Sequence, residues 1–334
     1  MEPITSTANP SWRLCVAPMM ACTDRHCRVL HRIAAPRARL YTEMIPAAAV
    51  RHGDWQRLLR FSSAEHPLAV QFGGNDPADL AHAAGLAERL GFDEVNLNVG
   101  CPSPKVREGA FGACLMRTPE RVSEATRATQ EACSLPVTVK CRIGVDEHDD
   151  YGFLRDFVGR VAGAGVSTFI VHARIAVLKG LSPAQNREIP PLKFHRVQRL
   201  ARDFPDLRIV VNGGISEVGQ ALECLAWADG VMVGRAAYNR PEWLAALHAR
   251  LTGGTALGAA AIVDAYVPYV ESALADGARL HDLTRHMMGL GSGRPGARRF
   301  RRALSTFARR PDARVGDLLE AFEQVAPNLT LRAA

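Results

Sequence analysis

Several patterns that would settle a function quickly are missing from this chain. It has eight cysteines, but none form a C-x-x-C pair, so neither a zinc site nor a secreted disulfide scaffold is indicated. No metal is expected. Apolar runs stay short of the ~20 residues that cross a bilayer, which argues against a helical membrane anchor. The opening stretch MEPITSTANPSW lacks a basic start leading into an apolar core, so no secretory leader is expected. Together these absences point to the reducing cytoplasm. The glycine-rich first-turn fingerprint of a dinucleotide-binding fold is missing as well. One further absence is local: seven arginines lie between Arg294 and Arg310 without a single Asp or Glu among them.

What is present describes an ordinary globular protein. A chain of 334 residues, 47% hydrophobic, can bury one large core and carry a second, smaller unit. The net charge of +7 and a pI near 9.2 favour a polyanionic partner, and the arginine cluster is the sharper clue. Short apolar runs at 14–19, 39–45, 68–72, 94–99, 136–142, 168–172, 208–212 and 230–234 read as strands. Helical patterns such as 77–90 and 119–132 fall between them. Eight strands alternating with helices predict parallel pairing and a closed (β/α)8 TIM barrel; an open doubly wound sheet is the alternative. The last barrel helix is expected at 241–251 and a linker at 252–260. Four helices then follow, at 262–274, 280–290, 297–307 and 317–325. The expected division is therefore an α/β barrel over 1–251 and a small all-helical domain over 252–334.

The stretch 94–116, EVNLNVGCPSPKVREGAFGACLM, organises the rest. Its strand stops at Gly100-Cys101-Pro102, a turn that holds a thiol at the strand's C-terminal end. Barrel active sites gather at those ends. Polar residues do the same here: Glu43, Gln71, Lys140 and Arg142, His172 and Arg174, then Asn212-Gly213-Gly214 and Gly234-Arg235. Paired glycines after a strand let backbone N–H groups approach a phosphate, and an arginine after the next strand adds a bidentate donor. A phosphate-bearing cofactor is the physical reading, with Lys140 and His172 reaching its ring or sugar. In the arginine cluster, Arg294, Arg298, Arg301 and Arg302 are expected to share a helix face, with Phe300 turned to the core. With no local acid to pair them, they are expected to bind phosphate backbone.

These residues resemble the A-type tRNA-dihydrouridine synthases over about residues 12–310. The matching segments include Val16-Ala17-Pro18-Met19-Met20, Thr23-Asp24-Arg25-His26, Tyr41-Thr42-Glu43-Met44 and Gln71-Phe72-Gly73-Gly74. Asn96-Leu97-Asn98-Val99-Gly100-Cys101-Pro102-Ser103 and Asn186-Arg187-Glu188-Ile189-Pro190-Pro191 are the most specific. Val139-Lys140-Cys141-Arg142, His172-Ala173-Arg174, Asn212-Gly213-Gly214-Ile215 and Gly234-Arg235-Ala236 complete the set. The resemblance implies FMN-dependent reduction of uridine in the tRNA D-loop, driven by NADPH, with hydride passing to C6 and Cys101 protonating C5. It implies FMN contacts from Pro18, Met19, Met20, Gln71, Lys140, His172, Asn212, Gly213, Gly214, Gly234 and Arg235. Asn98, Gln185, Arg187, Arg298, Arg299, Arg301 and Arg302 would hold the tRNA. A monomer working with tRNA, away from any membrane, is the expectation.

The likeness departs in two places. Ala21-Cys22 stands where similar enzymes commonly carry Asp-Trp, and Ile175-Ala176-Val177 where an aromatic is common. Three rival readings each leave part of the sequence without a role. A flavin barrel acting on a free pyrimidine leaves the basic helices idle, and a Schiff-base aldolase built on Lys140 leaves Cys101 idle. An RNA-binding barrel that has lost its flavin leaves Lys140, His172, Asn212 and Arg235 idle.

Overall fold

The computed structural model describes residues 12–323. Eight parallel strands form one sheet: β1 (Leu14–Val16), β2 (Leu40–Pro46), β3 (Leu68–Gly73), β4 (Glu94–Val99), β5 (Val137–Arg142), β6 (Thr168–His172), β7 (Arg208–Asn212) and β8 (Gly230–Val233). Each strand from β2 to β8 pairs with the next, and β8 pairs with β1. Between β1 and β2 the circle is completed at Arg39, which donates to the Leu14 carbonyl and accepts from the Val16 N–H, both at 2.9 Å. The sheet is thus the (β/α)8 barrel expected from the alternation, with the helices Pro77–Leu90, Pro119–Ala132, Tyr151–Ala162, Phe194–Asp203 and Val218–Leu225 on the connections from β3 to β8.

Strand residues alternate between the barrel interior and the helices outside. Cys15, Tyr41, Ala69, Ile170, Val210 and Met232 form one interior cluster, capped by Trp12. Two residues further along β3, β6 and β7, the same faces carry Gln71, His172 and Asn212. In β2 the register shifts between Tyr41 and Met44, so the alternation does not carry over to Glu43. Gln71, His172 and Asn212, three of the polar positions noted in the sequence, therefore face the barrel interior. β1 is shorter than expected. It ends at Val16, so Pro18 and Met19 belong to the turn beyond it, where a proline that cannot donate to the ladder is tolerated.

Contacts divide the described chain into residues 12–20 with 37–233, and residues 21–36 with 234–323. This division differs from a boundary at 251/252, because the helix Arg25–Ala34 packs with Pro241–Thr252 and with Ala259–Ala275. The second unit continues through Leu280–Thr284, Ala297–Thr306 and Val315–Glu323. The single helix expected over 280–290 is broken: after Thr284 the chain tightens into a 3₁₀ turn, Arg285–Met287. Residues 324 and 325, expected to end the last helix, lie outside the described residues. Among the described residues no helix is long and apolar enough to cross a membrane.

Candidate active site

Cys101 sits just past β4, half-buried, and four connections hold its turn. The Asn98 side-chain oxygen accepts the backbone N–H groups of Gly100 (3.1 Å) and Cys101 (3.0 Å), the local bond that asparagine makes well. The Cys101 carbonyl accepts the Ala113 N–H at 2.9 Å. Gly112, at φ +75°, makes that approach feasible: a Cβ there would stand 2.6 Å from the Cys101 carbonyl oxygen. Finally, Arg142 at the end of β5 donates through Nε to the Gly100 carbonyl at 3.0 Å.

The same guanidinium reaches further. Its Nη1 donates to the carbonyls of Ile175 (2.7 Å) and Asn186 (3.0 Å), so one fork joins the turn after β4 to the long loop after β6. Asn186 is fully buried, and its amide bridges the N–H and the carbonyl of Val177, both at 2.8 Å. Two expected tRNA-contacting residues lie in this loop. Gln185 is exposed, with its oxygen accepting the Ser182 N–H at 2.8 Å; Arg187 is exposed beside it.

Below Cys101 the interior is polar. Asn98 donates to Gln71 at 2.7 Å, Gln71 donates to Asn96 at 2.6 Å, and Asn96 donates to the Thr138 hydroxyl at 2.7 Å. Gln71 is 1% exposed, so it acts inside this network before anything else. Thr138 donates to Glu94 at 2.5 Å, and Glu94 also receives Tyr41, Arg39 and Trp12 at 3.0, 2.9 and 2.8 Å. Burial pushes the Glu94 carboxyl up, opposed by the Arg39 charge and by these donors.

Lys140 is half-buried one layer above Thr138, and neither a hydrogen bond nor an ion pair engages its ammonium among the described residues. Burial, and then the charge of Arg142, lower its pKa to about 8. His172 ends β6, half-buried. After β7, Gly213 and Gly214 both take left-handed φ, +115° and +68°. A Cβ on Gly213 would stand 2.7 Å from the His172 ring, so the turn is open to close approach only as glycine. Asn212 spends its amide on the Met232 carbonyl at 2.7 Å. Pro18 and Met19 are half-buried and Met20 is 60% exposed. Gly234 follows β8 and caps the short helix Arg235–Asn239, where Arg235 is exposed.

In the second unit the arginine cluster is only partly as expected. Arg294 precedes the helix Ala297–Thr306 and pairs with Glu242 at 2.9 Å, while Arg310 pairs with Asp317 at 2.7 Å. The acids come from distant sequence, which a local count of charge misses. Arg298, Arg299 and Arg302 are exposed and Arg301 is half-buried, without ion pairs among the described residues, and Phe300 is buried as expected.

Sequence reasoning missed Glu94, Thr138 and Asn186 as contributors to the site. Glu94-Val95-Asn96-Leu97-Asn98 did carry a signal, since its period of two puts three polar groups on one face. That face is the barrel interior.

The description "Dihydrouridine synthase (Dus)" belongs to a family model that matches residues 15–326. Similar proteins include the tRNA-dihydrouridine(20/20a) synthase of Xanthomonas campestris pv. campestris, 54% identical over 91% of this chain and 90% of its own. The protein of the same name from Salmonella typhimurium is 50% identical over 98% of this chain and 99% of its own. That from Escherichia coli O6:H1 is 48% identical over 96% and 97%.

Proposed function

Because this chain belongs to the dihydrouridine synthase family, we propose that it acts as a tRNA-dihydrouridine(20/20a) synthase, reducing the C5–C6 bond of uridine in the tRNA D-loop. The observation that carries the reading is the half-buried Cys101 thiol on a turn fixed by Asn98, Ala113 and Arg142.

Enzymes of this family depend on flavin; FMN, tightly bound, with NADPH as reductant, is the specific form we propose. The residues fit such a group. Lys140 offers a half-buried cation that no anion of the described chain engages, and Gly213-Gly214 offer a turn that a side chain would fill. Pro18, Met19, Met20, Gln71 and His172 would complete its surroundings, and Asn212 would hold the turn. Gly234 and Arg235 join the set on their position directly after β8. When bound, the flavin supplies hydride to C6 of the uracil ring. Cys101 holds the proton that C5 receives; a thiol is protonated at neutral pH yet acidic enough to donate, and it is restored from solvent. The target base has to leave its stack to present a ring edge to the thiol.

Asn98, Gln185 and Arg187, with Arg298, Arg299, Arg301 and Arg302, are proposed to hold tRNA. The barrel, expected over 1–251, would then be the catalytic part and the helices expected over 252–334 the tRNA-binding part, in a cytoplasmic monomer, with residues 21–36 and 234–251 grouped by contacts with those helices. The test combines flavin absorbance with mass spectrometry of tRNA. Cys101→Ala is expected to keep its flavin and lose dihydrouridine formation by about two to four decades, the range for a lost general acid. Unchanged turnover would falsify the assignment.

A further inference from the structure

We propose that Glu94, Thr138, Asn96 and Gln71 are positioning residues for the Cys101 turn, linked in a hydrogen-bond chain whose single direction is set by the Glu94 carboxylate. The proposal rests on Cys101 being the proton donor.

Donor and acceptor roles can be assigned from both ends. At the barrel floor, Glu94 Oε2 is taken by Arg39 and Trp12, groups that only donate. Burial raises the Glu94 pKa, while the guanidinium of Arg39 and the donors on the Glu94 oxygens oppose that. They favour the ionised form, in which the carboxylate only accepts. Oε1 accepts from Tyr41 and from Thr138. The one proton of the Thr138 hydroxyl is thereby committed, and its oxygen is left to accept from Asn96 Nδ2. Asn96 then presents Oδ1 to Gln71 Nε2, and Gln71 presents Oε1 to Asn98 Nδ2.

At the other end, the backbone N–H groups of Gly100 and Cys101 also only donate. They demand an oxygen from Asn98, whatever Glu94 does. Amide oxygen and nitrogen are nearly the same shape, so three amides in series have several arrangements in isolation. The carboxylate and the two N–H groups select the same one. If a link is removed, the amides between it and Asn98 are free to turn. Asn98 keeps its oxygen on the two N–H groups but loses the fixed partner of its Nδ2, and the Cys101 turn is held less rigidly. Gln71 keeps one N–H and one lone pair for a ligand, so the chain does not compete with a flavin contact.

Thr138→Val removes the hydroxyl with little change of shape, Thr138→Ser retains it, and Asn96→Ala cuts a different link. Flavin content and thermal unfolding establish that each variant is folded. For Thr138→Val and Asn96→Ala, amide hydrogen exchange at Gly100 and Cys101 should speed up by about tenfold or more. The kcat for dihydrouridine formation should fall by about 10- to 100-fold, the loss expected from a misplaced reacting group. KM for tRNA should stay within about twofold, because the substitutions touch no exposed surface. Thr138→Ser should behave as wild type. If Thr138→Val matches Thr138→Ser in both exchange and kcat, the chain does not position the turn.

A measurement on the unaltered protein guards against variants that do not fold. The side-chain amide protons of Asn96, Gln71 and Asn98 should exchange slowly together, and fast exchange at Asn98 overturns the proposal. Cys101→Ala separates this proposal from the reading beneath it. If that variant turns over like wild type, the proton-donor role fails. If it is inactive while Thr138→Val equals Thr138→Ser, the chain alone fails.

Discussion

An ammonium that enters a barrel interior gives up hydration, and Lys140 does so beside a second cation, Arg142. In the flavin-free protein this is unfavourable. The folded pKa, about 8, lies below the ordinary lysine value of 10.5, so the folded state holds fewer protons across that window. By linkage, the contribution of this group to stability rises as pH climbs from about 8 toward 10.5. A bound anion reverses the balance, because it favours the charged form. Flavin affinity is therefore expected to fall as pH rises through about 8, at a limiting slope of about tenfold per unit. Fluorescence titration between neutral and alkaline pH measures it, with Lys140→Met alongside. A variant with the same slope as wild type would show that another group titrates.

At the scale of single elements, Asp24 does several jobs for the helix Arg25–Ala34. One oxygen caps it, accepting the N–H groups of His26 and Cys27, both at 3.0 Å. The carboxylate also pairs with Arg285 at 2.5 Å and with the buried His286 at 3.0 Å. Burial alone would raise its pKa. The hydrogen bond and charge of His286, with the Cys27 N–H and Arg285, outweigh burial and hold it well below the usual carboxylate range. A depressed folded pKa stabilises above the unfolded value, and that stability is lost as pH falls through the folded one. Asp24→Asn keeps a capping oxygen without the charge. It is expected to lower unfolding stability by about 1–3 kcal/mol at neutral pH and to flatten the loss below about pH 5. Urea unfolding across pH reads both, and an unchanged acid limb would mean that Asp24 is not what the acid limb reports.

Elements were legible where one pattern governs them. β4 matches its expected bounds because its apolar residues alternate up to the Gly100-Cys101-Pro102 turn, and β6 and β7 because theirs run unbroken up to a polar end. The break after Thr284 was not legible, since the periodicity continues through the 3₁₀ turn at Arg285–Met287. Cys101, Lys140 and the Gly213-Gly214 turn stood out because each breaks an apolar strand at its end. Thr138 did not, since threonine is ordinary in a strand and its partners, Asn96 and Glu94, belong to a different strand. The pairing of Arg294 with Glu242 was hidden for the same reason: it spans distant sequence.

For the whole molecule, a net charge of +7 says more once its internal pairs are removed. Arg294 and Arg310 are neutralised by Glu242 and Asp317, which leaves Arg298, Arg299 and Arg302 as the exposed charge of the helix Ala297–Thr306. Replacing Arg298 and Arg302 by Ala is expected to weaken tRNA binding and to reduce its salt slope by about one unit per lost phosphate contact. A double variant with the wild-type slope would place the docking surface elsewhere. The barrel carries a different kind of whole-molecule constraint. Its floor carboxylate, its hydroxyl and its three amides agree on one direction, so none can be exchanged alone without a mismatch at the next. Across related genes these positions should therefore drift as a block: a lineage that gives up the acid at the floor has to rewrite the whole interior ladder in the same stroke.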